Sequence, residues 1–180
     1  SIEQFGPGVR IIARAGIGRK FQIPSVFREL TVRRNLEVAG CGSPGVFANL
    51  RFGFPRSVRR RLDEVLELTG LADEADTVAG TLSHGQTQWL ELGLLVVQDP
   101  KLLLLDEPTA GMNPQESADF VAFVHRVRDE RNLSVLLIEH DMKVVMAVCD
   151  RLVVLDFGSV ISTGTPEEIQ HDPVVLAAYL

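Results

Sequence analysis

Leu102-Leu103-Leu104-Leu105-Asp106-Glu107-Pro108 is the stretch on which the fold turns. Four leucines stand between Asp99-Pro100 and two adjacent carboxylates. The run is too short for a helix and lacks apolar/polar alternation, so it is expected as a buried strand. Such strands belong to parallel sheets, and open parallel sheets hold ligands at the carboxyl ends of their strands. The chain therefore delivers Asp106 and Glu107 to a ligand-binding rim. Neighbouring side chains on a strand point opposite ways, which gives the pair two roles. Asp106 suits a hard cation such as Mg²⁺, and Glu107 suits the orientation or deprotonation of a water. Taken alone, the dipeptide reads better as a polar strand end that opens a turn; Pro108 and Gly111 behind it and the segment ahead of it favour the catalytic reading.

Upstream stands Leu82-Ser83-His84-Gly85-Gln86. Ser83 and Gln86 have the S-x-x-Q spacing of a capping box, which opens a helix through the apolar residues 89–97. A helix start offers unpaired N–H groups to a phosphate, Gly85 permits close approach, and Ser83 adds a hydroxyl. Trp89 is assigned to the core. Downstream, Asn113-Pro114-Gln115-Glu116 starts a helix with Phe120, Val121, Val124 and Val127 on one stripe. Residues 134–138 form a second buried strand that ends at Glu139-His140. That end puts His140 on the same rim as Asp106 and Glu107, able to bond a terminal phosphate oxygen or polarise water. His84, His125 and His171 read as structural or surface residues.

A helix over 142–149, a third strand over 151–155 and a hairpin through Asp156-Phe157-Gly158-Ser159 follow. Thr165-Pro166-Glu167-Glu168 and Asp172-Pro173 cap two final helices. Strand–helix–strand alternation implies a parallel sheet covered by helices.

The 180 residues suit one domain, and 46% hydrophobic with 23% charged residues is ordinary for a soluble one. No apolar run approaches the roughly 20 residues of a membrane span. Ser1-Ile2-Glu3-Gln4 lacks both a signal-peptide pattern and an initiator Met, so the chain is expected to be part of a longer one. Cys41 and Cys149 have no metal or redox spacing and read as reduced thiols of a cytosolic protein. The net charge of −6 is uneven: residues 19–61 hold ten of the 18 Lys and Arg against Glu29 and Glu37 alone. That asymmetry fits a lobe facing an anionic surface, or else a solvated helical face. Within the basic, helix-like stretch 23–81, Leu62, Val65, Leu66 and Leu68 recur at helical spacing and stop at Gly70, beyond a Gly/Pro loop over 41–55. Gln22, just ahead of it, offers both a donor and an acceptor.

In this order the pieces resemble ATP-binding cassette (ABC) ATPases. Phe21-Gln22 looks like the Q-loop. LSHGQ at 82–86 is similar to the LSGGQ signature, with His84 for a glycine. LLLLDEP at 102–108 looks like Walker B, Ala110-Gly111-Met112-Asn113 like the D-loop, and His140 like the switch histidine. The resemblance implies an α/β fold: a P-loop NTPase-like parallel-sheet core with an inserted α-helical subdomain and a C-terminal β-hairpin plus helices. It makes 1–180 a single domain fragment. Residues 1–22 end the N-terminal core lobe, 23–81 form the helical subdomain, and 82–180 carry the signature, Walker B, D-loop and H-loop.

The same resemblance implies ATP and Mg²⁺ as cofactors, and Glu107, His140 and Gln22 as catalytic residues. Asp106 and Gln22 would serve the metal. Ser83, Gly85 and Gln86 would bind the nucleotide of a second ABC subunit, in a homodimer or heterodimer. Transmembrane permease subunits would dock on 23–81, and a periplasmic or extracellular solute-binding protein would act indirectly. The chain would lie on the cytoplasmic face of a bacterial plasma membrane, with no nucleic-acid partner. GIGRKFQIPSVF at 16–27, IEHDMKVVM at 138–146 and GTPEEI at 164–169 resemble importers of branched-chain amino acids. LSHGQTQWLELG at 82–93 is closer to importers of urea and short amides.

Two features depart from the pattern. Asn113 stands where many relatives carry Asp. No G-x-x-x-x-G-K-[ST] phosphate loop occurs in the sequence, so no ATP hydrolysis is expected from this polypeptide alone. The strand leading into that loop is expected beside the 102–105 strand. A non-transport ABC ATPase of DNA repair or translation is the competing reading, as is a catalytically silent fragment. The sixty or so residues between Gln22 and Leu82 suit a docking subdomain better than a long coiled coil.

Overall fold

A computed structural model describes residues 17–19, 26–40 and 56–179, the side chains of 17–19 and 179 excepted. Gln22, Cys41 and the 41–55 loop lie outside the described residues. The leucine run is a strand, β2 (Leu102–Asp106), between β1 (Ile17–Arg19) and β3 (Ser134–Ile138). Both pairings are parallel, with Leu104 opposite Arg19 and Leu136, and Asp106 opposite Ile138. β2 thus has both edges occupied. The strand expected beside it as the one leading into the phosphate loop is therefore not its neighbour in this sheet, since β1 pairs along Leu102–Leu104 on one edge and β3 along Leu102–Asp106 on the other.

Leu103 and Leu105 point into the core at 1% exposure each. The expectation of a buried second strand fails for β3. Leu136 and Ile138 are 59% and 61% exposed, while Val135 and Leu137 on its other face pack against the core. Apolar composition alone made both faces look covered, and among the described residues nothing covers the outer one. The third strand does not join the parallel sheet either. β4 (Leu152–Asp156) pairs antiparallel with β5 (Ser159–Gly164), and an open groove of about 600 Å³ separates β3 from this hairpin. The hairpin turn places Phe157 and Gly158 at φ 43° and 79°, as a two-residue turn matched to strand twist demands.

Three helices form the next layer: α1 (Val32–Gly40), α2 (Arg56–Leu68) and α3 (His84–Val96). Leu36, Leu62, Val65, Leu66, Leu90 and Leu92 are at most 2% exposed at their contacts. Gly93 is the closest approach, since a Cβ there would lie 3.3 Å from Leu36, Val65 and Thr69. α2 ends at Gly70, φ 67°, with Leu71 N–H bonded to Leu66 C=O at 2.9 Å. α4 (Pro114–Arg131) lays Phe120, Phe123, Val124 and Val127 into the core and contacts β3 and α5 (Met142–Val148). α6 (Pro166–Gln170) and α7 (Pro173–Tyr179) close a smaller cluster around Leu152, Ile169 and Val175.

Part of the positive charge on α1 and α2 is neutralised locally. Arg33–Asp63, Arg34–Glu37 and Arg60–Glu64 each pair at 2.8 Å.

One polar side chain organises the entry to α1. Asn35 is 1% exposed; its amide donates to the carbonyls of Phe27, Leu30 and Thr31 and accepts from Phe27 N–H at 2.7 Å. The loop it folds is stitched to the segment just ahead of Leu82. Ala79 N–H bonds Leu30 C=O at 2.9 Å, and Gly80 N–H bonds Arg28 C=O at 2.8 Å.

Candidate functional site

The parallel register brings Asp106, Glu107 and His140 to one edge of the sheet. β2 ends at Asp106, and Glu107 has already left it: its φ is 44°, in the left-handed region. The pair is therefore not presented as alternating strand residues, and the sequence argument for their opposite directions does not hold at Glu107. A turn aims that carboxylate instead. Glu107 N–H is anchored to Ile138 C=O at 2.8 Å, and its C=O accepts from Ala110 N–H at 3.2 Å. A non-glycine residue in this conformation costs on the order of 1 kcal/mol or more and persists only where the surroundings hold it.

His140 follows β3 directly. Its Nδ1 lies 3.8 Å from Glu107 Oε1 and 3.7 Å from Glu139 Oε2. Both His140 and Glu107 are open to solvent, at 74% and 52% side-chain exposure. Their nearest atoms lie farther apart than a hydrogen bond, and both side chains are open to a group approaching that edge from solvent. Gln22 lies outside the described residues, so its position relative to this trio is not described.

Ser83, Gly85 and Gln86 open α3 as the sequence predicts. Ser83 Oγ accepts from Gln86 N–H at 3.2 Å, and Gln86 Oε1 accepts from Ser83 N–H at 3.0 Å. Ser83 and His84 are exposed and Gly85 is half-buried, so the helix start is accessible. Gln86 also donates to Glu74 at 3.0 Å. The helix start leans on the turn after β2: Gln88 donates to Ala110 C=O at 3.1 Å, and a Cβ on Gly85 would lie 3.2 Å from Glu116 Oε1. Asn113 caps α4, accepting from Gln115 and Glu116 N–H at 2.9 and 3.0 Å. Its amide oxygen supplies the acceptor an aspartate would.

Trp89 stands edge-on to Phe123 at 5.4 Å, as a core residue does. His125 and His171 bond the carbonyls of Ala147 and Glu167.

Glu139 is the residue the sequence reading overlooked. Its side chain is 1% exposed and accepts from Thr109 N–H and Oγ1–H, His140 N–H and Asp141 N–H. Burial pushes its carboxyl up, but these four donors outweigh it and hold the group below the ordinary carboxylate range. The sequence carries a signal for it: Glu139 follows an apolar strand just as Asp106 does.

Residues 4–110 match the family described as ABC transporter, and residues 159–180 match the one described as branched-chain amino acid ATP-binding cassette transporter. The chain is 41% identical over 183 residues to the high-affinity branched-chain amino acid transport ATP-binding protein BraF of Pseudomonas aeruginosa, covering 97% of this chain and 71% of that one. It is 40% identical over 181 residues to LivG of Escherichia coli K12, at the same coverage. Its fold matches the ADP conformation of MJ1267, an ATP-binding cassette of an ABC transporter, with a TM-score of 0.71 and 28% identity over 94% of this chain and 70% of that one. With Asp106, Glu107 and His140 on one sheet edge and these matches in sequence and fold, the chain belongs to the ABC transporter family.

Proposed function

We propose that this chain belongs to the ATP-hydrolysing subunit of an importer for branched-chain amino acids. The observation that carries the reading is the Glu107 carboxylate facing His140 at 3.8 Å on the carboxyl edge of a parallel sheet, one residue beyond Asp106. A terminal phosphate seated there meets a carboxylate that orients or deprotonates the attacking water and an imidazole that stabilises the charge growing on the phosphate oxygens. Gln22 joins them as a sensor of metal and water.

Asp106 and Gln22 would hold Mg²⁺. A nucleotide-bound Mg²⁺ takes one or two protein oxygens and fills its other positions with phosphate and water, so one carboxylate at this edge fits it. When bound, the ion neutralises charge on the transferring phosphoryl group.

Ser83, Gly85 and Gln86 address the triphosphate held by a second subunit, whether a copy or a relative, with Asn113 at the contact between the two. Hydrolysis therefore belongs to the pair. Residues 23–81 act as the subdomain that docks on the permease, between a core lobe ending at 22 and the catalytic core of 82–180. This sets the chain on the cytoplasmic face of the membrane, and no described helix is long and apolar enough to cross it. A solute-binding protein acts from the far side. The 180 residues contain no phosphate-loop lysine, so by themselves they do not turn over ATP.

The match at 159–180 and the similarity to BraF and LivG favour branched-chain amino acids over urea. The test is ATP-driven uptake by the complete subunit with its permease in liposomes. Labelled leucine is expected to accumulate and labelled urea is not; the reverse would replace the solute. Glu107→Gln is expected to bind ATP without hydrolysing it, and undiminished turnover in that variant would overturn the catalytic assignment.

A further inference from the structure

We propose that Glu139 is a positioning residue that sets Glu107 relative to His140 by tying the turn after β2 to the turn after β3. The proposal rests on the hydrolytic reading above. Each carboxylate oxygen serves a different turn. Oε1 accepts from Thr109, through N–H at 3.0 Å and through the hydroxyl. Oε2 accepts from the N–H groups of His140 at 3.0 Å and Asp141 at 3.4 Å.

Thr109 is itself 7% exposed and sits two residues beyond Glu107. Its turn is closed by Ala110 N–H to Glu107 C=O and by Met112 N–H to Thr109 C=O at 3.0 Å. Moving Thr109 therefore moves Glu107. On the other side, Oε2 fixes the backbone of His140 itself. The two functional side chains are exposed and share no hydrogen bond, so their mutual geometry is inherited from the backbone beneath them.

A buried charge is costly unless every lone pair is used, and here four donors use them. An amide cannot substitute. Glutamine offers one accepting oxygen and would turn an NH₂ group toward one of the two donor pairs.

The experiment uses the complete ATP-hydrolysing subunit with Glu139→Gln, Thr109→Val and Thr109→Ser. Glu139→Gln is expected to lower kcat for ATP about 10- to 100-fold, the scale of an ångström-level misplacement of reacting groups, with KM within about twofold. Thr109→Val is expected to follow it, and Thr109→Ser, which keeps the hydroxyl, to retain turnover. Amide exchange is expected to quicken at Thr109, His140 and Asp141 in Glu139→Gln while α3 stays protected. If wild type turns over and Glu107→Gln stops it, but Glu139→Gln keeps kcat within about twofold of wild type, the positioning role is refuted and the hydrolytic reading survives. If wild type shows no turnover, that reading has failed. Exchange at the same three amides then decides the tie: unchanged rates overturn it, and faster rates uphold it.

Discussion

Asn35→Leu tests whether a single buried amide holds the connection between two distant motifs. Leucine repeats the branched outline of asparagine but is bulkier, so the site stays filled and the polar loss worked here is a lower bound on the destabilisation. Three of those bonds are well formed: Phe27 N–H to Oδ1 at 2.7 Å, and Nδ2 to the carbonyls of Phe27 and Thr31 at 3.0 Å each. The fourth, to Leu30 C=O at 3.4 Å, is weak. At about 1 kcal/mol net for each good bond, the loss comes to about 3 kcal/mol. The three carbonyls keep other donors, Leu30 N–H, Ala79 N–H and Asn35 N–H. Among the described residues Phe27 N–H has no other acceptor, and Phe27 is 52% exposed, so water relieves part of its penalty. We therefore add nothing for it. For a chain of this size, about 3 kcal/mol corresponds to a fall in Tm of roughly 6–12 °C. Calorimetry or urea unfolding monitored at Trp89 reads the value. Amide exchange at 77–80 reads the location, since that segment hangs on Arg28 and Leu30. A loss below about 1 kcal/mol, or unchanged protection at 77–80, would refute the claim that Asn35 fastens the two segments.

Three further outcomes follow from the same coordinates. The Glu139 carboxyl is held below its ordinary 4.5 in the folded chain, so its contribution to stability is complete above that pH and disappears as pH falls through the lower folded value. The stability gap between wild type and Glu139→Gln, measured by urea unfolding, should therefore be constant near neutrality and close only in acid; a gap that widens below pH 4.5 would reverse the sign. Gly85→Asp places a Cβ 3.2 Å from Glu116 Oε1 and, on the proposed function, adds negative charge where a phosphate is met, so ATPase activity of the complete subunit should be lost while Tm shifts by no more than about 3 °C. Cys149 is half-buried beside Asp150, and burial first and that charge second raise its thiol above 9.0, so iodoacetamide at pH 7 should modify it far more slowly than free cysteine.

Local chemistry made some elements readable from the sequence. Caps were, because Ser83, Asn113, Thr165 and Asp172 each satisfy donors within three residues along the chain. The parallel pairing of β2 with β3 followed from the helix between them. Covering layers were not readable: Leu103 and Leu136 are the same residue type in similar runs, yet one is 1% exposed and the other 59%. What separates them is which element packs on each face, a non-local fact that composition does not carry. Strand membership failed for the same reason. Residues 152–156 have the apolar texture of a sheet strand, but an antiparallel hairpin satisfies them within thirteen residues. At the site, Asp106 and His140 were legible as strand ends. The left-handed turn at Glu107 was not, since the bonds that hold that backbone, to Ile138 C=O and through Thr109 to Glu139, come from residues about thirty positions away. Asn35 and Glu139 escaped notice because a buried polar residue looks like a surface one until its partners, up to thirty positions away, are known.

The two functional edges of the chain are joined by polar contacts. The signature helix starts at Ser83 and, one turn on, Gln88 grips Ala110 C=O. Ala110 N–H in turn holds Glu107 C=O, and Glu139 holds Thr109 between them. On the proposed function, the path from the helix start that would meet a partner's phosphate to Glu107 runs through short directional bonds. Such bonds resist sliding in a way that packed leucines do not. If a pair closes as proposed, a displacement of the α3 start has a direct route to the geometry of Glu107 and His140. In a double-mutant cycle of Gln88→Ala with Glu139→Gln, both links lie on one route, so the second substitution should add less to the loss of kcat than it costs alone. Full additivity would mean that the two contacts act separately, and that the signature helix does not reach the catalytic turn through Ala110.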